Sequence, residues 1–147
     1  MLKNNLNSKL CLLLGLMGIV LSACSESDLG SSGENERNIS GFSQKGPFVK
    51  GSKVSLYEMD ESLNQTGVYY YTAIDNNMGE YHLEKIPFTG RYAWMQVDGR
   101  FISELTNFES ADRITLNSLV DLENRNSANI NLLGHLAFER EKHLVRN

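Results

Sequence analysis

Beyond residue 24 the chain has no cysteine: Cys11 and Cys24 both lie in the first 24 of its 147 residues. That excludes a disulfide framework and a thiol nucleophile from everything downstream, so a domain there must be held by its core alone. No apolar run after Cys24 is long enough for a transmembrane helix. The chain also lacks a Lys/Arg cluster. With 14 basic and 18 acidic residues its formal charge is −4, which argues against nucleic acid or an anionic lipid patch as a partner. There is no Ser/His/Asp order, Gly-rich phosphate loop or paired-carboxylate motif. The three histidines form no recognised ligand set. The expectation is a protein that is not an enzyme and needs no metal or dissociable cofactor.

What is present begins with an export signal. Lys3 and Lys9 charge the first segment, and Leu10–Val20 forms an apolar run too short for a permanent span. Leu21, Ser22 and Ala23 then lead to Cys24. This stretch resembles the lipobox of bacterial lipoproteins, in which cleavage before the cysteine follows its lipidation. The resemblance implies a signal peptide over 1–23, a covalent lipid on Cys24 and attachment to a membrane through that lipid. Two or three acyl chains give a stable anchor where one is marginal. Loss of Lys3 and Lys9 would leave the exported chain two units more negative. Ser25 stands where an Asp would retain an enterobacterial lipoprotein in the inner membrane. Glu26 and Asp28 resemble the acidic signals of surface lipoproteins. The expected address is the outer membrane, the cell surface being favoured over the periplasmic face.

Residues 24–38 comprise Cys24 and a polar Gly/Ser-rich stretch that reads as a tether, having too little apolar surface to offset ordering. From Ile39 the pattern becomes short strands separated by turn residues. Strands are expected at Ile39–Gln44, Lys53–Met59, Val68–Ala73, around Tyr81 and Leu83, at Tyr92–Val97, at Arg100–Leu105 and at Ile114–Leu122. Gly46-Pro47 breaks the first, and Asp75–Gly79 is a turn. Asp98-Gly99 predicts a hairpin into Arg100–Leu105. Ala93, Met95 and Val97 alternate against Tyr92, Trp94 and Gln96, and Leu116 belongs to the core. Residues 132–145 carry Leu133, Leu136, Ala137 and Leu144 at helical spacing, although Gly134 weakens the helix by about 1 kcal/mol; the stripe of Leu133, Leu136 and Leu144 is expected to dock on a sheet edge or an exposed apolar face. The expected fold is all-β: an antiparallel sandwich of about seven strands over 39–122, then a connector and a short C-terminal helix over 123–147.

The spaced Thr72, Asp75, Gly79, Tyr81 and Leu83 resemble the strand–turn–strand run of carboxypeptidase regulatory-like, transthyretin-like sandwich domains. Gly41–Ser52, Asp98–Glu104 and Ile114–Leu116 look like stretches of lipoproteins of Bacteroidota. The resemblance implies an extracytoplasmic, lipid-anchored domain and brings no catalytic residue with it. It also implies a larger helical region after the stretch around Asn129–Leu136, so a chain that stops at Asn147 reads as a truncated member.

Several side-chain groups invite chemistry. Tyr69 and Tyr71 share a strand face opposite Tyr70, and with Trp94 they could form a platform for a sugar ring. His135, Glu139 and His143 share a helix face, but span two turns and so cannot all reach one zinc ion. Asp75, Asn77 and Gly79 are too few for a calcium loop. Lys50 or Lys53 with Asn117 or Asp121 would give an isopeptide bond only if brought together in a buried site. The leading functional expectation is an adhesive or structural interaction module at the outer membrane, its partner a protein or a glycan. The alternatives are a carbohydrate-binding accessory lipoprotein and the non-catalytic fragment of a larger hydrolase.

Overall fold

The structure is a computed structural model in which residues 36–146 are described. The signal peptide, Leu21, Ser22, Ala23, Cys24 and most of the tether lie outside the described residues.

Among the described residues seven strands and one helix make a two-layer β-sandwich. They are β1 (Arg37–Gln44), β2 (Lys53–Met59), β3 (Gln65–Ala73), β4 (Glu80–Ile86), β5 (Tyr92–Gly99), β6 (Ile114–Asp121), β7 (Ile130–Asn131) and α1 (Leu132–Arg146). One sheet has the order β4-β1-β7 and the other β3-β2-β5-β6. All pairings are antiparallel except β1 with β7. The sheets draw on Arg37 at one end and on β7 beyond Leu122 at the other.

Alternation explains the core. In β5, Ala93, Met95 and Val97 are fully buried and face Val120, Ser118 and Leu116 across β6. They also face Glu58, Leu56 and Val54 across β2. The second sheet contributes Ile39, Tyr81 and Leu83 to the same core. Burial of such side chains stabilises the fold by about 1.5–3 kcal/mol each before the entropy of ordering is counted. The Tyr81 hydroxyl donates to the Ala128 carbonyl, satisfying a polar atom inside the core. That chain segment lies so close to β1 that a Cβ on Gly41 would sit 1.8 Å from the Ala128 oxygen.

The turns follow from local chemistry. Between β2 and β3, the Asp60 carboxylate accepts the amides of Ser62 at 2.9 Å and Asn64 at 2.8 Å. It thereby holds Leu63 at a φ of 56° with its side chain buried. Between β3 and β4, Gly79 has a φ of 79°, and a Cβ there would lie 2.3 Å from the Ser43 oxygen, so the position requires glycine.

Two expectations are corrected. Asp98-Gly99 is not a hairpin turn and Arg100–Leu105 is not a strand. Both residues continue β5, where Asp98 faces Thr115 and Gly99 faces Ile114 on β6. Arg113 and Thr115 hydrogen-bond the Asp98 carboxylate, and a Cβ on Gly99 would strike Ser52 Oγ at 2.1 Å. The glycine serves close packing and not a reversal. The chain reverses over Arg100–Arg113, a long connection in which Phe101 and Ile102 make isolated bridges to Phe48 and Glu109.

The helix docks through a face other than the expected one. Asn131 caps its start, accepting the Gly134 amide at 2.8 Å. The leucine stripe does not dock: Leu133, Leu136 and Leu144 are exposed. The docked face is Gly134, His135 and Phe138. Gly134 abuts Ser118 on β6, and Phe138 is 5 % exposed with its ring centroid 5.7 Å from that of Trp94. At the other end Arg146 donates to the carbonyls of Ser62 at 3.1 Å and Leu63 at 2.9 Å. The helix therefore runs across the outer face of the four-stranded sheet, from the β6 edge to the β2–β3 turn.

Candidate aromatic face

The pairing register builds this outer face row by row. One row crosses β3, β2, β5 and β6 as Tyr69, Tyr57, Trp94 and Leu119; the next is Tyr71, Ser55, Gln96 and Asn117. Phe138 of α1 extends the first row. Adjacent ring centroids lie 5.7 Å apart for Phe138–Trp94, 4.9 Å for Trp94–Tyr57 and 6.2 Å for Tyr57–Tyr69, all tilted. These separations suit aromatic pairing. The row begins under the helix and ends at the β3 edge.

The three aromatics expected from sequence do share this face, but in different states. Tyr69 and Tyr71 are 60 % and 68 % exposed. Trp94 is half-buried between Phe138 and Tyr57, and its indole N–H donates to Asn117 Oδ1 at 3.0 Å. The Gln96 amide donates to the same oxygen at 3.1 Å. Trp94 thus anchors the helix, while the tyrosines present open rings. Lys53 reaches over Tyr71, its ammonium 5.6 Å from the ring centroid. Tyr70 points the other way and donates to the Pro87 carbonyl at 3.0 Å. Tyr57 and Phe138 were missed. Tyr57 was legible by alternation against the core residues Val54 and Leu56. Phe138 could have been found one turn beyond Gly134, where a small residue admits a close helix–sheet approach.

The other groupings do not form a site. His135 accepts the Asn117 amide through Nδ1 at 3.1 Å and so serves the β6 edge. Asn77 accepts the Lys50 amide at 2.9 Å, and Asp75 binds His82 at 2.7 Å, so that segment acts as a turn. Lys53 and Asn117 stand on strands separated by β5, about 9–10 Å by strand spacing. Asp121 is bound by Arg91 at 2.7 Å, which holds its carboxyl below the usual range. The Arg113 hydrogen bond does the same for Asp98. Among the described residues no group of three or more His, Cys, Asp or Glu could hold a metal ion, and no helix is long and apolar enough to cross a membrane. Two clefts, one lined by Asp121, Glu123, Asn124 and Arg125 and one by Glu139, Lys142, His143 and Arg146, are charged and polar rather than the mostly apolar pockets that take small ligands.

No family model, curated protein or solved structure matches this chain.

Proposed function

We propose that this chain is a lipid-anchored lipoprotein of the outer membrane. In this reading its β-sandwich, of the carboxypeptidase regulatory-like kind, acts as an adhesive or structural interaction module. The observation that carries the reading is the pair of open tyrosines, Tyr69 and Tyr71, on one face with Tyr57 and Trp94 behind them. Aromatic side chains supply large contact area with few rotatable bonds, which is why they dominate binding surfaces. The Leu21-Ser22-Ala23-Cys24 stretch supports the anchor. Replacing Tyr69 and Tyr71 together by Ala should abolish adhesion of cells displaying the protein to host or partner cells. Adhesion equal to that of the unsubstituted protein would reject this face. For the anchor, Cys24→Ala should remove incorporation of a clickable fatty acid; equal labelling would reject lipidation at Cys24.

A second reading is favoured by the same rings lying beside Gln96 and Asn117. Pyranose rings stack on aromatic faces while amides bond their hydroxyls, so the face would suit a glycan. Chemical-shift changes confined to Tyr57, Tyr69, Tyr71 and Trp94 on titration with oligosaccharides would select this reading over a protein partner.

A further inference from the structure

The sandwich has four sheet edges, and three of them are protected. β6, which carries no charge from Ile114 to Val120, lies beneath α1, whose His135 accepts the Asn117 amide. β4 carries Glu80, His82, Glu84 and Lys85, and Lys85 has a φ of 50° that interrupts the edge. β7 is two residues long. Cover, charge, irregularity and shortness are the usual devices that prevent edge-to-edge pairing.

β3 has none of them over its regular part. It is nine residues long, contains no charged residue and no proline, and is exposed except for Tyr70 and Thr72, which are half-buried. Its one irregularity, around Gly67 and the register shift opposite Tyr57–Met59, lies at its start. Among the described residues it pairs with β2 alone. Tyrosine and β-branched residues are the types that favour strands most.

We infer that β3 is a self-association edge, which pairs antiparallel with β3 of a second copy to make one continuous eight-stranded sheet. The strand's own order argues for a copy of this chain over a foreign strand. Val68-Tyr69-Tyr70-Tyr71-Thr72 is a near-palindrome about Tyr70. A twofold axis through Tyr70 sets Tyr69 against Tyr71 of the copy, twice, and Val68 against Thr72, twice. Tyrosine meets tyrosine, valine meets the similarly shaped β-branched threonine, and each contact occurs twice, as in any isologous interface. Residues of equal parity stand opposite each other, so the tyrosines of both copies stay on the outer face and join as cross-strand aromatic pairs. Charge points the same way. The chain is acidic overall and repels its copies, whereas the strand from Gln65 to Ala73 is neutral and sets no like charges together. The inference does not rest on the adhesive reading. It would double that surface, since two aromatic rows would meet at the axis.

Sedimentation equilibrium of the full chain in density-matched non-ionic detergent tests this. The mass is expected to climb from one chain toward two with concentration, and alternate amides of Val68–Thr72 should gain exchange protection in step. Tyr69→Lys with Tyr71→Lys sets lysines opposite lysines and should weaken the dimer at least about tenfold. Val68→Lys, at an exposed position, should act in the same direction while leaving both tyrosines for any adhesive partner. It also serves as the test if the double variant fails to keep its near-ultraviolet dichroism. Leu136→Lys on α1 should leave the dimer unchanged. A single chain at every concentration would overturn the inference, whether or not its β3 amides are protected. So would a dimer that survives Val68→Lys, or one that Leu136→Lys abolishes.

Discussion

The outer face of the four-stranded sheet has two halves that the same chain treats differently. The β6 half lies under α1, where Trp94 is sandwiched and its N–H, the Asn117 amide and the Gln96 amide all have partners. The β3 half is open, with Tyr69 and Tyr71 projecting into solvent. Both edge strands are nearly or wholly uncharged, so neither is defended by its own sequence. The difference lies in the helix, which is long enough to reach the β2–β3 turn but crosses to it without covering the tyrosines. Cover marks the half of the face that holds the helix, and its absence leaves Tyr69 and Tyr71 open to solvent.

The largest expected effect breaks the covered half. Phe138→Ala removes a 5 % exposed ring from between the helix and Trp94 and should cost about 3–5 kcal/mol in equilibrium denaturation. Leu136→Ala, at a side chain 72 % exposed, should stay within about 0.5 kcal/mol. A reversed order would mean that the leucine stripe carries the docking.

That pair of residues also shows what the sequence could disclose. Strand faces were legible wherever alternation was strict, as in β5, because a one-residue shift would turn every core side chain outward. The shared face of Tyr69 and Tyr71 followed from parity alone, whereas the place of Trp94 on it depends on the register across β2. Which of them is open did not, because it depends on where α1 lands, and that is decided by Gly134 against Ser118, a contact between residues sixteen apart. Leucine spacing pointed to the wrong helix face because periodicity measures apolar content and not fit to a surface. Asp98-Gly99 misled for a similar reason. The pair favours hairpins in isolation, but Arg113, just before the next strand, and Thr115 on it claim the aspartate, and Ser52 needs the space beside the glycine.

A middle-sized effect loosens the cover without removing its core contact. Asn131→Ala takes away the cap that accepts the Gly134 amide and should cost about 1 kcal/mol. Exchange of the Asn117 amide should then speed up, because the helix that shields it frays from that end, while the Met95 and Val97 amides in the sheet interior stay slow. Uniform acceleration across β5 and β6 would show that the helix start and the sheet open as one unit.

The smallest effect belongs to the edge protected by charge. On β4, His82 Nδ1 lies 2.7 Å from the Asp75 carboxylate, and Glu80 lies 3.8 Å from its other ring nitrogen. The hydrogen bond to Asp75 raises the His82 pKa, with Glu80 and Glu84 adding attraction and partial burial opposing it. A histidine whose folded pKa is raised binds its proton more tightly when folded. Its contribution is therefore complete below the ordinary imidazole value of about 6.5 and fades as pH rises through the higher folded value. Because the group is about half exposed, solvent screens the pair and the contribution is small. Denaturation midpoints should fall slightly between mildly acidic and mildly alkaline pH, and His82→Gln should flatten that slope. The same titration alters the defence of the edge, since neutral His82 leaves Lys85 as the one cation beside Glu80 and Glu84 on β4. β3, with no ionisable group other than its tyrosines, has no such dependence in this range, so dimer formation there should be nearly independent of pH. Self-association that follows the His82 titration would move the pairing edge from β3 to β4.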